Sequence, residues 1–281
     1  MYKIGNLEVK NRIFLSPMLE PNDIAFRLMC KEAGAGLTYT GLFSPLSLKE
    51  VHFDDKPALQ LFGATNKGFR DFIKKHDEKV SLWDFNLGCP SKLSKKLCHG
   101  AFMHKDFENI EKILKTMRRN TKKPISIKLR KSPQALDIAK LAEKYVDIIG
   151  IHPRTLDQGY SGEPDYDFAL KLRDSVKVPI IYSGNVNEQN IDKALSDFPF
   201  VFIGREAMGN PAIFSKLTGG SMENSFEKYI ELASKYGIPF KTIKYQAMQF
   251  TKGYNEAKKM RFSLISAKTV EDIMAIWKKY K

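Results

Sequence analysis

Apolar residues gather in eight short runs rich in Ile, Val, Leu and Phe, at 12–16, 37–41, 58–62, 81–87, 125–129, 146–151, 180–183 and 200–203. Each has the length and β-branched or aromatic content of a strand. Between them, apolar positions recur at helical spacing over 23–33, 67–76, 107–116, 133–144, 166–174 and 187–195. The connection 43–57 is the least helix-like. Strand and helix therefore alternate, which implies right-handed βαβ units around a parallel sheet.

Eight such units in about 200 residues is the arithmetic of a (β/α)8 TIM barrel. A doubly wound open sheet would carry a Gly-rich fingerprint after its first strand. Here that run ends in Ser16-Pro17-Met18. Ahead of it, 2–5 and 7–11 flank the turn-prone pair Gly5-Asn6, predicting a small hairpin placed to plug the barrel floor. Past the break at Leu217-Thr218-Gly219-Gly220-Ser221 the pattern turns helical, over 226–236, 240–252, 257–265 and 270–280. Thr269 is the expected N-cap of the last helix, with Glu271 and Asp272 in its first turn. The predicted organisation is a barrel domain over 1–216 and a small helical domain over 221–281.

The 281 residues are 43% hydrophobic, enough for a substantial core. No apolar run reaches the ~18–20 residues of a membrane span, and MYKIGNLEVKNR lacks a signal-peptide core. A cytoplasmic protein is expected. Cys30, Cys89 and Cys98 show no CxxC spacing, and the five histidines show no ligand spacing, so neither a disulfide framework nor a metal site is predicted. Lys plus Arg outnumber Asp plus Glu by 46 to 32, a net charge of +14. That surplus favours polyanionic partners, although composition alone does not separate this from a merely Lys-rich chain. From Ser221 onward the chain carries 12 basic and 6 acidic residues.

In such a barrel, functional groups collect at the C-terminal ends of the strands. Those ends carry Ser16-Pro17-Met18, Gln60 with Gly63, Asn86 with Cys89, Lys128 with Arg130, His152 with Arg154, Ser183-Gly184-Asn185, and Gly204-Arg205. The last two fall after strands seven and eight, where phosphates usually sit. Glycine admits close approach of backbone N–H groups, a following helix adds dipole, and Arg205 adds a charged fork. Lys128 points into the mouth and needs an anion or acceptor there. A flavin's pyrimidine carbonyl and N1 would serve, with His152 donating to the same system. Cys89 stands between Gly88 and Pro90, held out by a tight turn at a strand's end. Cys30 is expected as a small core residue, and Cys98 is assigned no role.

The strand ends resemble those of the tRNA-dihydrouridine synthases, flavin-dependent barrels that reduce uridine in tRNA. The matching stretches are SPMLEPNDIAFR (16–27), QLFG (60–63), DFNLGCPSKLSKKLCHGAFM (84–103), ISIKLR (125–130), IHPRTLDQGYSG (151–162), YSGNV (182–186) and FIGREAMGNPAIF (202–214). The tail's KYQAMQFTKGYNEAKKMR (244–261) is similar to the family's helical domain.

The resemblance implies Cys89 as proton donor. It implies FMN held by Ser16, Pro17, Met18, Gln60, Lys128, Ser183, Gly184, Asn185, Gly204 and Arg205, with His152 nearby. Asn86 would contact the target uracil, Arg130 and Arg154 would help hold substrate, and NADPH would be the reductant. A monomer is expected. Three positions depart from the family pattern: Ser183-Gly184-Asn185 for Asn-Gly-Asp, His152-Pro153-Arg154-Thr155 for His-Gly-Arg-Thr, and Ser16-Pro17-Met18 for Ala-Pro-Met.

Reduction of the uracil C5–C6 bond needs hydride at C6 and a proton at C5. A thiol of ordinary pKa, ~8.5, is mostly protonated near neutrality and serves as acid. The base must leave its stack, a cost offset by phosphate contacts to a basic surface. Lys92, Lys95 and Lys96 are expected as a loop beside the cysteine. Tyr245, Phe250 and Tyr254 are expected as helix core rather than base-stacking platforms. Competing readings are a flavin barrel acting on a small molecule, since IGNLEVKNRIFLSPM is also similar to ene-reductases and dihydroorotate dehydrogenases, and a tRNA-binding protein without catalysis.

Overall fold

A computed structural model describes residues 1–19, 22–47 and 50–280. Glu20 and Pro21 of the first motif, Leu48 and Lys49 of the 43–57 connection, and Lys281 at the chain's end lie outside the described residues.

Strands β1 (Tyr2–Ile4) and β2 (Leu7–Val9) pair antiparallel around Gly5. Their Ile4 and Val9 pack with Phe14, Tyr39, Leu82 and Ile148, so the predicted hairpin does close the barrel floor. The barrel itself is β3 (Ile13–Leu15), β4 (Leu37–Phe43), β5 (Ala58–Leu61), β6 (Leu82–Leu87), β7 (Ile125–Arg130), β8 (Ile148–His152), β9 (Ile180–Tyr182) and β10 (Phe200–Ile203). They run parallel in chain order, and β10 pairs back onto β3. All eight coincide with the predicted runs to within two or three residues at either end.

The period-2 alternation of each strand sorts its side chains between two cores. In β6, Trp83, Phe85 and Leu87 face outward into the layer beneath the helices, while Leu82 joins the inner cluster. That outer layer is covered by α1 (Ile24–Glu32), α2 (Phe69–His76), α3 (Lys92–Lys96), α4 (Phe107–Asn120), α5 (Ala135–Ala142), α6 (Tyr166–Ser175), α7 (Ile191–Asp197) and α8 (Ile213–Leu217). The described part of the 43–57 connection contains no helix. Helix α4 runs four residues past the expected end, because Met117 continues the buried stripe of Ile110, Ile113 and Leu114. The Lys-rich stretch after Cys89 is a short helix, α3, rather than a loop. Ser91 caps it, its Oγ accepting from the Ser94 N–H at 3.0 Å.

Past Leu217 the chain forms α9 (Phe226–Lys235), α10 (Phe240–Phe250), α11 (Ala257–Ser266) and α12 (Val270–Tyr280). Thr269 caps α12 as predicted, accepting from the Asp272 N–H at 3.1 Å. Phe226, Tyr229, Phe250 and Trp277 stack into one aromatic core, and Tyr254 packs on Trp277. Phe250 and Tyr254 are thus core residues, as expected; Tyr245 is half-buried.

Asp23 ties this region to the barrel. One carboxylate oxygen caps α1 through the Phe26 N–H, and the other accepts from Gln246 Nε2 at 2.7 Å. Nearby, Arg27 holds buried Asp55 bidentately, with 2.8 Å and 3.1 Å contacts. Removing one member of such a pair typically costs about 3–5 kcal/mol, because it strands the other charge. Among the described residues no helix is long and apolar enough to cross a membrane.

Candidate active site

Inward-facing positions grow more polar toward the C-terminal ends of the strands. The floor layer holds Leu37, Ala58, Leu82 and Ile148. Above it, register places Gln60 beside Asp84 and Asp84 beside Ser126. Higher still, Asn86 stands beside Lys128, Lys128 beside Gly150, and Arg130 beside His152. A β-carbon on Gly150 would lie 2.9 Å from the Phe202 ring and 3.4 Å from Lys128 Cγ, so glycine makes room for both side chains.

These layers open into a cavity of about 1040 Å³. Cys89 lines it, together with Asn86, Gln60 and Lys128. Ser16, Pro17 and Met18 line it from the end of β3, and Ser183, Gly184, Asn185, Gly204 and Arg205 from the loops after β9 and β10. Arg130 and His152 reach it as well, whereas Arg154 does not.

Cys89 is half-buried. Its loop is held by Asn86, whose Oδ1 accepts the N–H of Cys89 at 3.0 Å and of Gly88 at 3.3 Å. Gly100 closes the loop from behind. A β-carbon there would stand 2.8 Å from the Cys89 carbonyl and 3.1 Å from Asn86 Oδ1.

Lys128 makes no hydrogen bond or ion pair with any described residue; its ammonium lies 5.9 Å from the Phe202 ring centre. Burial pulls its pKa down to about 8, with Arg130 adding to the fall and Asp84 and Cys89 opposing it. Such a lysine supplies a charge with no internal acceptor, which suits an electron-rich ligand atom. His152 is driven well below the ordinary histidine range by burial and by Lys128, Arg130, Arg154 and Arg205, so it is neutral. Arg154 Nη1 lies 3.1 Å from its Nε2, which places the ring proton on Nδ1.

The two buried arginines place most of their hydrogen bonds on backbone carbonyls. Arg130 donates to the carbonyls of Gly88, Thr155 and Gly159 at 2.8–3.0 Å. Arg154 donates to Ser161 and Gly162 at 2.6–3.1 Å. Together they hold the loop after β8 over the cavity. At its tip is Tyr160, 60% exposed, its ring 5.6 Å from the Arg130 guanidinium and 5.9 Å from that of Arg205.

Beside that tip, the N–H groups of Gly184, Asn185, Gly204 and Arg205 bond to no described residue. A β-carbon on Gly204 would meet Ser16 Cβ at 3.7 Å and Met18 Sδ at 3.9 Å, ordinary contact distances. Free N–H groups beside an exposed arginine form an anion cradle. No helix begins directly at either loop, since α7 starts at Ile191 and α8 at Ile213, so backbone donors rather than a dipole make this cradle. Asn185 adopts a left-handed φ of 53°. Its Oδ1 accepts from Arg205 Nη2 and its Nδ2 donates to Glu163 Oε2 at 3.3 Å, so an amide bridges a cation and a carboxylate. An aspartate there would face Glu163 with like charge.

Sequence reasoning did not single out Tyr160, Phe202, Glu206 or Lys252, all of which line the cavity. Tyr160 lies inside the matching stretch 151–162, and Phe202 and Glu206 inside 202–214. Lys252, inside the matching stretch 244–261, follows α10 and pairs with Glu206 at 3.3 Å. Among the described residues no cluster of three or more His, Cys, Asp or Glu could hold a metal ion.

A family model described as dihydrouridine synthase matches residues 14–280. The chain is 32% identical over 239 residues to a probable tRNA-dihydrouridine synthase of Rickettsia conorii, covering 77% of this chain and 72% of that relative. It is 28% identical over 236 residues to tRNA-dihydrouridine synthase B of Escherichia coli, covering 76% and 74%. Among solved structures, a mandelate oxidase variant superposes with a TM-score of 0.55 at 14% identity, covering 84% of this chain and 78% of that one. An old yellow enzyme homologue from Zymomonas mobilis gives 0.52 at 12% identity, covering 81% and 94%. At these identities the likeness concerns the barrel fold.

Proposed function

The chain belongs to the dihydrouridine synthase family, and from that premise we propose that it reduces a uridine in tRNA to 5,6-dihydrouridine with FMN as cofactor and Cys89 as proton donor. The observation that carries this reading is the convergence of Cys89, Asn86, Gln60 and the unpartnered Lys128 on one cavity.

The donor set fits FMN. The free N–H groups of Gly184, Asn185, Gly204 and Arg205, with the Arg205 guanidinium, suit its phosphate. Lys128 suits the electron-rich edge of its pyrimidine ring, and Ser16, Pro17, Met18 and Gln60 complete the cradle. The chemistry FMN supplies when bound is hydride delivery to C6 of the uracil, with NADPH as reductant.

Cys89 gives its proton to C5, the position that gains negative charge as C6 is reduced. Asn86 Oδ1 is taken by backbone N–H groups, so the amide offers the base an N–H rather than an oxygen. Neutral His152, with its proton on Nδ1, adds a donor without adding charge. Arg130 and Arg154 act on substrate through the Tyr160 loop they hold. Residues 1–216 form the flavin-binding unit. Residues 221–281, with their basic surplus, present tRNA to it, and α3 adds exposed Lys92, Lys95 and Lys96 beside the cysteine. The protein acts as a cytoplasmic monomer.

The test is incubation of the purified protein with NADPH and an unmodified tRNA transcript, with dihydrouridine mapped by mass spectrometry, beside Cys89→Ala. Loss of a general acid typically costs about 100-fold or more. A flavin-loaded protein that oxidises NADPH yet leaves tRNA unchanged would instead be an oxidoreductase acting on a small molecule.

A further inference from the structure

One layer below the cavity lies a carboxylate that the chemistry above does not use. Asp84 sits at an inward position of β6, two residues before Asn86, and is 1% exposed. A leucine, as at Leu82 one step below, would pack there without the cost of burying a charge. The barrel instead surrounds Asp84 with polar partners from both neighbouring strands. Ser126 Oγ of β7 donates to its Oδ1, and Gln60 Nε2 of β5 donates to its Oδ2 at 2.5 Å.

The bonds continue upward. Gln60 Oε1 accepts from Asn86 Nδ2 at 2.9 Å, and Asn86 Oδ1 accepts the N–H groups of Cys89 and Gly88. One unbroken chain therefore joins Asp84 to the backbone of the cysteine loop. Its two ends are groups that cannot reverse: an ionised carboxylate only accepts, and a backbone N–H only donates. The two amides between them can each turn end for end, so their orientation depends on those ends. Gln60 must turn its nitrogen to Asp84, which leaves its oxygen for Asn86. Asn86 then keeps its oxygen for the cysteine loop and its remaining N–H for the cavity.

We propose that Asp84 is a positioning residue: as the fixed acceptor beneath the site, it sets the orientation of the Gln60 and Asn86 amides and, through them, the Cys89 loop. The inference rests on the proposed reaction only for its activity readout. Burial raises the Asp84 pKa to about 6, against the opposing pull of Ser126, Gln60 and Lys128, so near neutrality the carboxylate is mainly in its acceptor form.

The test compares Asp84→Asn with Asp84→Leu in a Cys98→Ser background, because Cys98 is exposed and Cys30 is buried. Two readouts are taken: kcat and KM for tRNA reduction by the flavin-loaded protein, and the rate at which iodoacetamide alkylates Cys89 in flavin-free protein. In Asp84→Asn the amide oxygen still meets Gln60 while its nitrogen meets Ser126, so both readouts are expected within about threefold of the parent. Asp84→Leu removes the acceptor. Its kcat is expected to fall about 30-fold with KM changed less than about threefold, and Cys89 alkylation to rise about fivefold or more as the loop loosens.

Parent-like alkylation in Asp84→Leu overturns the proposal. So does Asp84→Asn falling as far as Asp84→Leu, which would make charge rather than amide orientation the property that matters. The alkylation comparison decides even if the parent makes no dihydrouridine, so the two readings fail separately. If Asp84→Leu does not fold, the comparison passes to Gln60→Met, which cuts the same chain one link higher. The same rise is expected there, and an unchanged rate overturns the proposal.

Discussion

Gly209 lies so close to Gln249 that a β-carbon on the glycine would stand 2.0 Å from the Gln249 carbonyl oxygen. Gly209 follows β10, and Gln249 sits at the end of α10, so this backbone contact seats the helical region against the barrel mouth. Three residues beyond Gln249, Lys252 reaches the cavity.

Gly209→Ala is therefore expected to destabilise the protein by more than about 2 kcal/mol, through both the clash and its φ of +68°. The control is Gly219→Ala, whose φ is +78° but whose β-carbon would meet nothing within 4 Å. The clash predicts a lower melting temperature for Gly209→Ala than for the control. Equal losses would mean the contact carries no weight.

Lys128 is expected to make flavin binding pH-dependent. Its pKa near 8 means the ammonium prevails below that pH and is lost above it. A ligand that prefers the ammonium weakens as pH rises through 8, by at most about tenfold per unit. FMN titrations between pH 7 and 9 should show that slope. Lys128→Met should bind more weakly and show a flat profile over the same range.

The arginines of the site separate into structural and ligand-facing ones. Arg154→Ala removes the hydrogen bonds by which a buried guanidinium holds the carbonyls of Ser161 and Gly162 and should cost about 2 kcal/mol in denaturant unfolding. Arg205 is exposed. Arg205→Ala should leave stability within about 0.5 kcal/mol and weaken FMN about tenfold. The reverse pattern would exchange the two roles.

Three buried histidines make the fold acid-sensitive. Burial lowers the pKa of His99, His104 and His152 below the ordinary value of 6.5. Above 6.5 each is neutral in both states and contributes no slope. Below 6.5 the unfolded chain binds protons that the folded one refuses, so stability falls with pH by up to about 1.4 kcal/mol per unit per histidine. Asp84, raised to about 6, offsets part of this once the pH drops below that value. Both ring nitrogens of His99 lack partners among the described residues, and its ring packs on Phe62. His99→Phe should then give a shallower fall in melting temperature from pH 7 to 5.5. An unchanged slope would show that His99 titrates freely.

The order of elements was legible in the chain because each strand is a short β-rich run between amphipathic stretches, and local spacing alone separates a period of two from one of 3.6. The hairpin plug, the eight strands and the polar strand ends followed from that pattern. The cysteine loop was legible too, since Gly88 and Pro90 flank Cys89. Less visible was helix α3, where five residues carry too little periodicity to read against a run of lysines.

What local sequence could not supply is anything that depends on register across strands. Gln60, Asp84 and Ser126 are 24 and 42 residues apart in sequence, yet they share one row of the barrel. Arg154 looks like a cavity-facing cation until the loop carbonyls and the His152 ring that take its donors are in place. Lys252 reaches the cavity only because Gly209 lets α10 settle against the barrel. Composition and spacing determined which groups this protein carries and at which ends of its strands. Closure of the barrel decided which of them face the cavity, which are spent on one another, and which are left without a partner, because hydrogen bonds and desolvation act over a few ångströms of space rather than along the chain.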